Sequence, residues 1–167
     1  MRKLWIAAIA AGIALVAMSA LQYLTRPDEG DVAPGFNLRS LDSEVVSLDG
    51  FRGRPVILHF WAAWCGACRQ EFPSLARLQS DFEEEGLAVL AISLDESREE
   101  AAAFVASVIK SGMVVLMDTD GTVADSYQSY AVPETFLIDR DGRIVWRRAG
   151  PVDWDSAEVR ARVKELS

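Results

Sequence analysis

The sequence predicts an α/β domain, a mixed central sheet with helices packed on it, joined to an N-terminal transmembrane helix. Three observations carry this reading. Short apolar runs of strand character alternate with segments whose apolar residues recur at helical spacing, the order that builds a largely parallel sheet. Two late runs flank Asp141-Gly142, a hairpin turn, so the closing strands are expected to be antiparallel. Residues 4–24 are uncharged and mostly aliphatic, and 21 residues is about what a helix needs to cross a bilayer core.

Arg2 and Lys3 precede that span and Arg26 and Pro27 close it. Positive charge in front keeps the N-terminus in the cytoplasm and sends the remainder across. A cleaved signal peptide is the competing reading, since Ala17-Met18-Ser19 roughly fits a small-x-small site; the length of the span favours an uncleaved signal-anchor. The expected organisation is therefore an anchor over residues 1–26, a short acidic linker over 27–34 and one domain over 35–167. All 25 acidic residues and 14 of the 17 basic ones lie after the span or, for the basic ones, after Arg26, which leaves the exported part at −11. That balance argues against nucleic acid and against electrostatic binding to anionic headgroups. Two cysteines are too few to staple an exported domain, so the core is expected to fold by hydrophobic burial, leaving the pair for chemistry.

Within the domain, Phe36-Asn37-Leu38 and Val45-Val46-Ser47-Leu48 flank Asp42-Ser43 as an N-terminal hairpin. Val56, Ile57, Leu58, Phe60 and Trp61 form a strand buried on both faces. Phe72, Leu75, Leu78 and Phe82 then recur on one helical face, and the helix is expected to end near Gly86, with Glu83-Glu84-Glu85 as a solvated face. Residues 87–93 are a second buried strand. Ser97-x-x-Glu100 fits a capping box before the stripe Ala101, Phe104, Val105, Val108 and Ile109. Residues 114–117 are a short strand, Asp118-Thr119-Asp120-Gly121 a turn into a short helix, and residues 135–139 and 143–147 the closing strands. Asp155 or Ser156 caps a last helix with Val159, Val163 and Leu166 inward.

The chemistry sits where the first buried strand hands over to a helix, at Trp64-Cys65-Gly66-Ala67-Cys68. First-turn amides lack partners within a helix, and the dipole adds partial positive charge, so a thiolate there is stabilised. Two thiols in C-x-x-C spacing make a redox pair: Cys65 attacks, and Cys68, one turn in, resolves the mixed disulfide. Zinc is disfavoured on ligand count, because the chain offers two cysteines and the single His59. No metal or organic cofactor is expected.

These features together resemble a thioredoxin fold. More narrowly, they resemble the membrane-anchored TlpA-like thiol-disulfide oxidoreductases, which include cytochrome c maturation reductants. The resemblance rests on Phe-Trp-Ala-Ala-Trp-Cys-Gly-Ala-Cys, the Glu-Phe-Pro after it, a central strand-helix insert, and Val-Pro-Glu-Thr-Phe-Leu-Ile-Asp, and covers nearly everything from Ala33 on. It implies that Cys65 is the exposed attacking cysteine, Cys68 the shielded one and Trp64 the tryptophan that shields the pair. It places Pro133 as the cis proline beside the active site, leaving the backbone of Val132 free for a substrate strand. Glu71 matches an acidic residue beside the cysteines that moves a proton or tunes their pKa values, with a solvated carboxylate as the alternative. Pro73 matches a helix-kinking proline, and Glu134 resembles the cytochrome-maturation branch or is a surface charge.

The chain departs from the family pattern at two places. His59 stands where thioredoxins carry a buried aspartate and TlpA-like proteins commonly an asparagine. It reads either as a proton acceptor for Cys68 or a pH-sensitive tuner of the pair, or as a neutral core histidine, and burial favours the last. Gly66-Ala67 lacks the proline often found between the cysteines, which leaves the reduction potential open. The resemblance implies a single-pass protein of the bacterial cytoplasmic membrane with its catalytic domain on the extracytoplasmic side. It would reduce exported proteins such as apocytochrome c and be recharged by a membrane electron-donor protein. The alternatives are a thiol oxidant, a copper-binding chaperone and a peroxidase. Copper needs a histidine away from the cysteines, and none follows His59. A peroxidase needs one peroxide-reactive thiol in its own pocket.

Overall fold

The structure, a computed structural model, describes residues 9, 12–14, 17, 26–108 and 112–166. Among them no helix is long and apolar enough to cross a membrane. The expected span over residues 4–24 lies for the most part outside the described residues, as does Ile109.

The elements follow in the order β1 (Asn37–Ser40), β2 (Val45–Ser47), β3 (Val56–Trp61), α1 (Gly66–Asp81), β4 (Ala88–Ser93), α2 (Arg98–Val108), β5 (Val114–Met117), α3 (Thr122–Tyr127), β6 (Glu134–Ile138), β7 (Ile144–Ala149) and α4 (Ala157–Leu166), with a 3-10 turn at Leu48–Phe51 after β2. The fold is thioredoxin-like. One sheet runs β2-β1-β5-β4-β3-β6-β7. Only β3/β4 and β4/β5 pair in parallel, because only α1 and α2 act as crossovers between neighbouring strands. The hairpins at both ends are antiparallel, so the sheet is mixed and less parallel than the alternation of elements suggests. The insert α2–β5 brings β5 between β4 and β1.

Period-two alternation along β3 divides the core. Leu58 and Phe60 join Tyr127, Phe136 and Phe36 on one face. Ile57 faces Leu75, Leu78, Leu137, Trp154 and Val163, supplied by α1, β6 and the C-terminal segment. Trp61 packs with Phe72, Phe104 and both cysteines. His59, at an odd position, therefore lies under α1, and it is fully buried.

Helix α1 stops at Asp81, so Glu83-Glu84-Glu85 are exposed turn residues rather than a helix face. Three carboxylates at a helix C-terminus oppose its dipole. The chain leaves instead through Phe82, whose N–H donates to the Leu78 carbonyl, and Gly86, at φ 91°, turns it into β4. At α2, Glu100 N–H donates to Ser97 Oγ as expected, but Ser97 Oγ donates to Glu99, so the box closes only on one side.

The stretch expected as a linker is in contact with the domain. Gly30 N–H donates to the Ile144 carbonyl and Ile144 N–H to Asp31, while Ala33 N–H reaches the Gly142 carbonyl. Val32 bridges Arg143, so this segment pairs with the start of β7 at the sheet's edge.

Candidate active site

Strand β3 ends at Trp61, and four residues later Cys65 is the N-cap of α1. Its Sγ accepts the N–H of Cys68 at 3.1 Å, the place a serine or aspartate oxygen takes at an ordinary helix start. A sulfur there meets the unpartnered first-turn amides, which favour its thiolate. The two cysteines are joined by a disulfide, with Cα atoms 5.3 Å apart. Cys65 keeps 6% of its surface exposed and Cys68 none, so an incoming partner meets Cys65 first.

The loop before Cys65 is held by a residue that the sequence reading passed over. Asp95 is buried and accepts the N–H of Ala63 with both oxygens, at 3.0 and 2.8 Å. Ser93 Oγ donates to the same carboxylate at 2.8 Å. Trp64, expected to shield the pair, is 74% exposed and lines an open groove with Ala63, Arg69, Phe104 and Ser107. Arg69 stacks over the Phe104 ring there.

Across from the disulfide, the Val132–Pro133 peptide bond is cis. Val132 is half-buried against the cluster that contains both cysteines. The Pro133 carbonyl accepts Gly150 N–H at 2.8 Å, which ties the loop to the end of β7.

Beneath Cys68 lies a buried polar pair. Glu71, one turn further along the same helix face, is 5% exposed, which removes the solvated-carboxylate alternative. Its Oε2 accepts Val152 N–H at 2.9 Å and Trp154 Nε1–H at 3.1 Å. Its Oε1 stands 3.7 Å from His59 Nε2, and neither of these two atoms has a hydrogen-bond partner among the described residues. His59 Nδ1 is 2.9 Å from Thr135 Oγ1, with Phe72 and Trp154 edge-on to the ring. Burial pushes the Glu71 carboxyl up to about 7, against the pull of its two donors. Burial also pushes the imidazole down to about 3, so His59 is neutral at neutral pH. The pair thus carries a carboxyl near its titration midpoint beside a neutral imidazole, one turn below a buried sulfur.

Trp154 and Thr135 were not legible as site residues, since each acts through a partner more than 70 residues away. Glu134 is not a surface charge. It is buried, and one oxygen accepts from Arg26 at 2.9 Å and from Arg147 Nη2 at 2.6 Å. Among the described residues no group of three or more His, Cys, Asp or Glu is arranged to hold a metal ion.

Comparison with known proteins agrees with this geometry. Residues 30–147 match the model of the AhpC/TSA family. The chain is 34% identical over 146 residues to the thiol-disulfide oxidoreductase ResA of Bacillus subtilis, covering 82% of this chain and 81% of that protein. It is 38% identical over 119 residues to the thioredoxin-like protein YneN of the same organism, covering 70% and 68%. A solved structure from Chlorobium tepidum, a thiol:disulfide interchange protein of the DsbE type, superimposes with a TM-score of 0.78 at 34% identity, over 84% of this chain and 98% of that one.

Proposed function

Because the chain belongs to the AhpC/TSA family, and within it to the thioredoxin-like thiol-disulfide oxidoreductases of the ResA and DsbE type, we propose that it is a membrane-anchored reductant of exported protein disulfides, apocytochrome c among them. The observation that carries the reading is Cys65 as N-cap of α1, bridged to a fully buried Cys68 and facing Val132-Pro133.

In the reduced protein the Cys65 thiolate attacks one sulfur of a substrate disulfide. A mixed disulfide forms, and the other substrate sulfur leaves as thiolate and takes a proton. The substrate backbone lies against the Val132-Pro133 loop, with Trp64 flanking it. Cys68 then loses its proton and attacks the Cys65 sulfur. The substrate's second sulfur leaves, and two electrons have passed from the dithiol to the substrate. Glu71, its pKa raised into the working range by burial, accepts the Cys68 proton, and His59, neutral and hydrogen-bonded to Thr135, packs beside that carboxyl. A membrane electron-donor protein returns the pair to the dithiol. Residues 1–26 anchor the chain as a single pass in the cytoplasmic membrane, with the domain over 35–167 outside the cytoplasm.

Trapping tests the proposal. Cys68→Ser should leave Cys65 covalently bound to its exported partner in non-reducing gels. Recovery of no mixed disulfide, or recovery only with cytoplasmic proteins, overturns the assignment. An equilibrium with glutathione decides direction: a bridge as easily reduced as those of oxidants would favour the oxidant reading instead.

A further inference from the structure

The residue that ends the apolar span is built into the redox domain. Arg26 Nη2 donates to Glu134 Oε1 at 2.9 Å, and the same oxygen receives Arg147 Nε at 2.9 Å and Nη2 at 2.6 Å. Arg147 Nη1 adds a bond to the Pro27 carbonyl at 3.1 Å. The Glu134 side chain is 2% exposed and that of Arg147 11%, while Arg26, at 34%, closes the clamp from the solvent side. Such charge-assisted bonds hold geometry well.

The place of the clamp in the fold gives it meaning. Glu134 directly follows Pro133 and pairs with Phe60, near the end of β3 that leads into Cys65. From Arg26 the chain runs away from this end, along β7, to reach Gly142 at Ala33. The chain therefore enters the domain at its disulfide end. In the sequence only Thr25 separates Leu24, the last residue of the apolar span, from Arg26. Two residues of extended chain reach about 7 Å. Trp64 and Tyr130, both more than 70% exposed, flank the disulfide and the Pro133 loop at this same end. Rings with an apolar body and a polar tip suit the headgroup layer.

We infer that the Arg26–Glu134–Arg147 clamp holds the domain with its Cys65–Cys68 end turned toward the bilayer headgroups, so that thiol exchange takes place at the membrane surface. The inference rests on the reading of residues 1–26 as an anchor. It also explains the packing of residues 27–34: a free linker of that length would let the domain tumble, whereas this one is tied to Arg147 and to residues 142–144.

Energy transfer to the bilayer tests it on the full chain in phosphatidylcholine vesicles that carry rhodamine-headgroup lipid. A donor dye is attached through Arg148→Cys, near the disulfide end, or through Glu84→Cys, in the exposed turn beyond α1, while Cys65–Cys68 stays bridged. The six residues of β3 separate these ends by about 20 Å. Transfer from position 148 should be at least about twofold that from position 84, a contrast set by that separation. Ten Gly/Ser residues inserted between Leu24 and Thr25 leave the clamp intact and should abolish the contrast; Glu134→Gln should reduce it. Equal or greater transfer from position 84 in the native chain overturns the orientation while leaving the anchor in place. A chain that fails to float with the vesicles overturns the anchor itself, and neither result touches the redox chemistry.

Discussion

Replacing Glu71 with glutamine should flatten one limb of the stability–pH curve. In the unfolded chain the carboxyl ionises near its ordinary 4.5, but in the folded protein burial delays ionisation to about 7. Between these values the unfolded state sheds a proton that the folded state keeps, so stability falls as pH rises from about 4.5 to about 7. One pKa unit corresponds to about 1.4 kcal/mol, so the whole displacement costs about 3 kcal/mol by pH 8. Glutamine keeps the contacts: its oxygen can accept from Val152 and Trp154 while its amide faces His59 Nε2. Urea unfolding of the bridged full chain in mild detergent, followed by near-ultraviolet circular dichroism, reads the effect without thiol titration. Native and variant should be similar at pH 4.5, and the variant should be about 3 kcal/mol more stable at pH 8. If the two proteins lose stability in parallel across that range, Glu71 does not hold a proton in the folded state and its role as acceptor for Cys68 fails.

His59 has the opposite sign. Its folded pKa lies at about 3 against an ordinary 6.5, so it weakens the fold as pH drops below 6.5. His59→Asn should remove a slope of roughly 1.4 kcal/mol per pH unit on the acid side, measured by the same unfolding series. A tuning role beyond packing would also move the pH profile of thiol reactivity in this variant; an unmoved profile leaves only the core role. Asp95→Ala removes the acceptor for Ala63 N–H and should cost about 1–3 kcal/mol, with Cys65 alkylation slowed as the loop loosens. Unchanged stability and reactivity would show that Asp95 does not hold the loop.

What could be read from the chain alone was whatever had a local signal. The apolar run of β3, the helical stripe of α1 and the C-x-x-C at their junction each announce themselves within a few residues, and together they place the redox pair. Glu71 was marked only by the family resemblance, and its burial depends on Val152 and Trp154, some 80 residues on. Asp95 lies 32 residues from the amide it holds and reads in sequence as an ordinary loop aspartate. The three glutamates after α1 misled because an acidic run at helical register looks like a solvated face; the dipole that ends the helix there acts along an axis that periodicity does not report. The docking of residues 26–34 was hidden for a related reason, since short polar segments look alike whether free or paired to an edge strand.

The central claim is that the start of α1 makes Cys65 acidic and Cys68 closes a reversible bridge with it. The most direct measurement is the pH dependence of Cys65 alkylation in the reduced full chain, with Cys68→Ser to assign the signal. The midpoint should lie well below the roughly 8.5 of a free thiol. A midpoint at or above that value would contradict it.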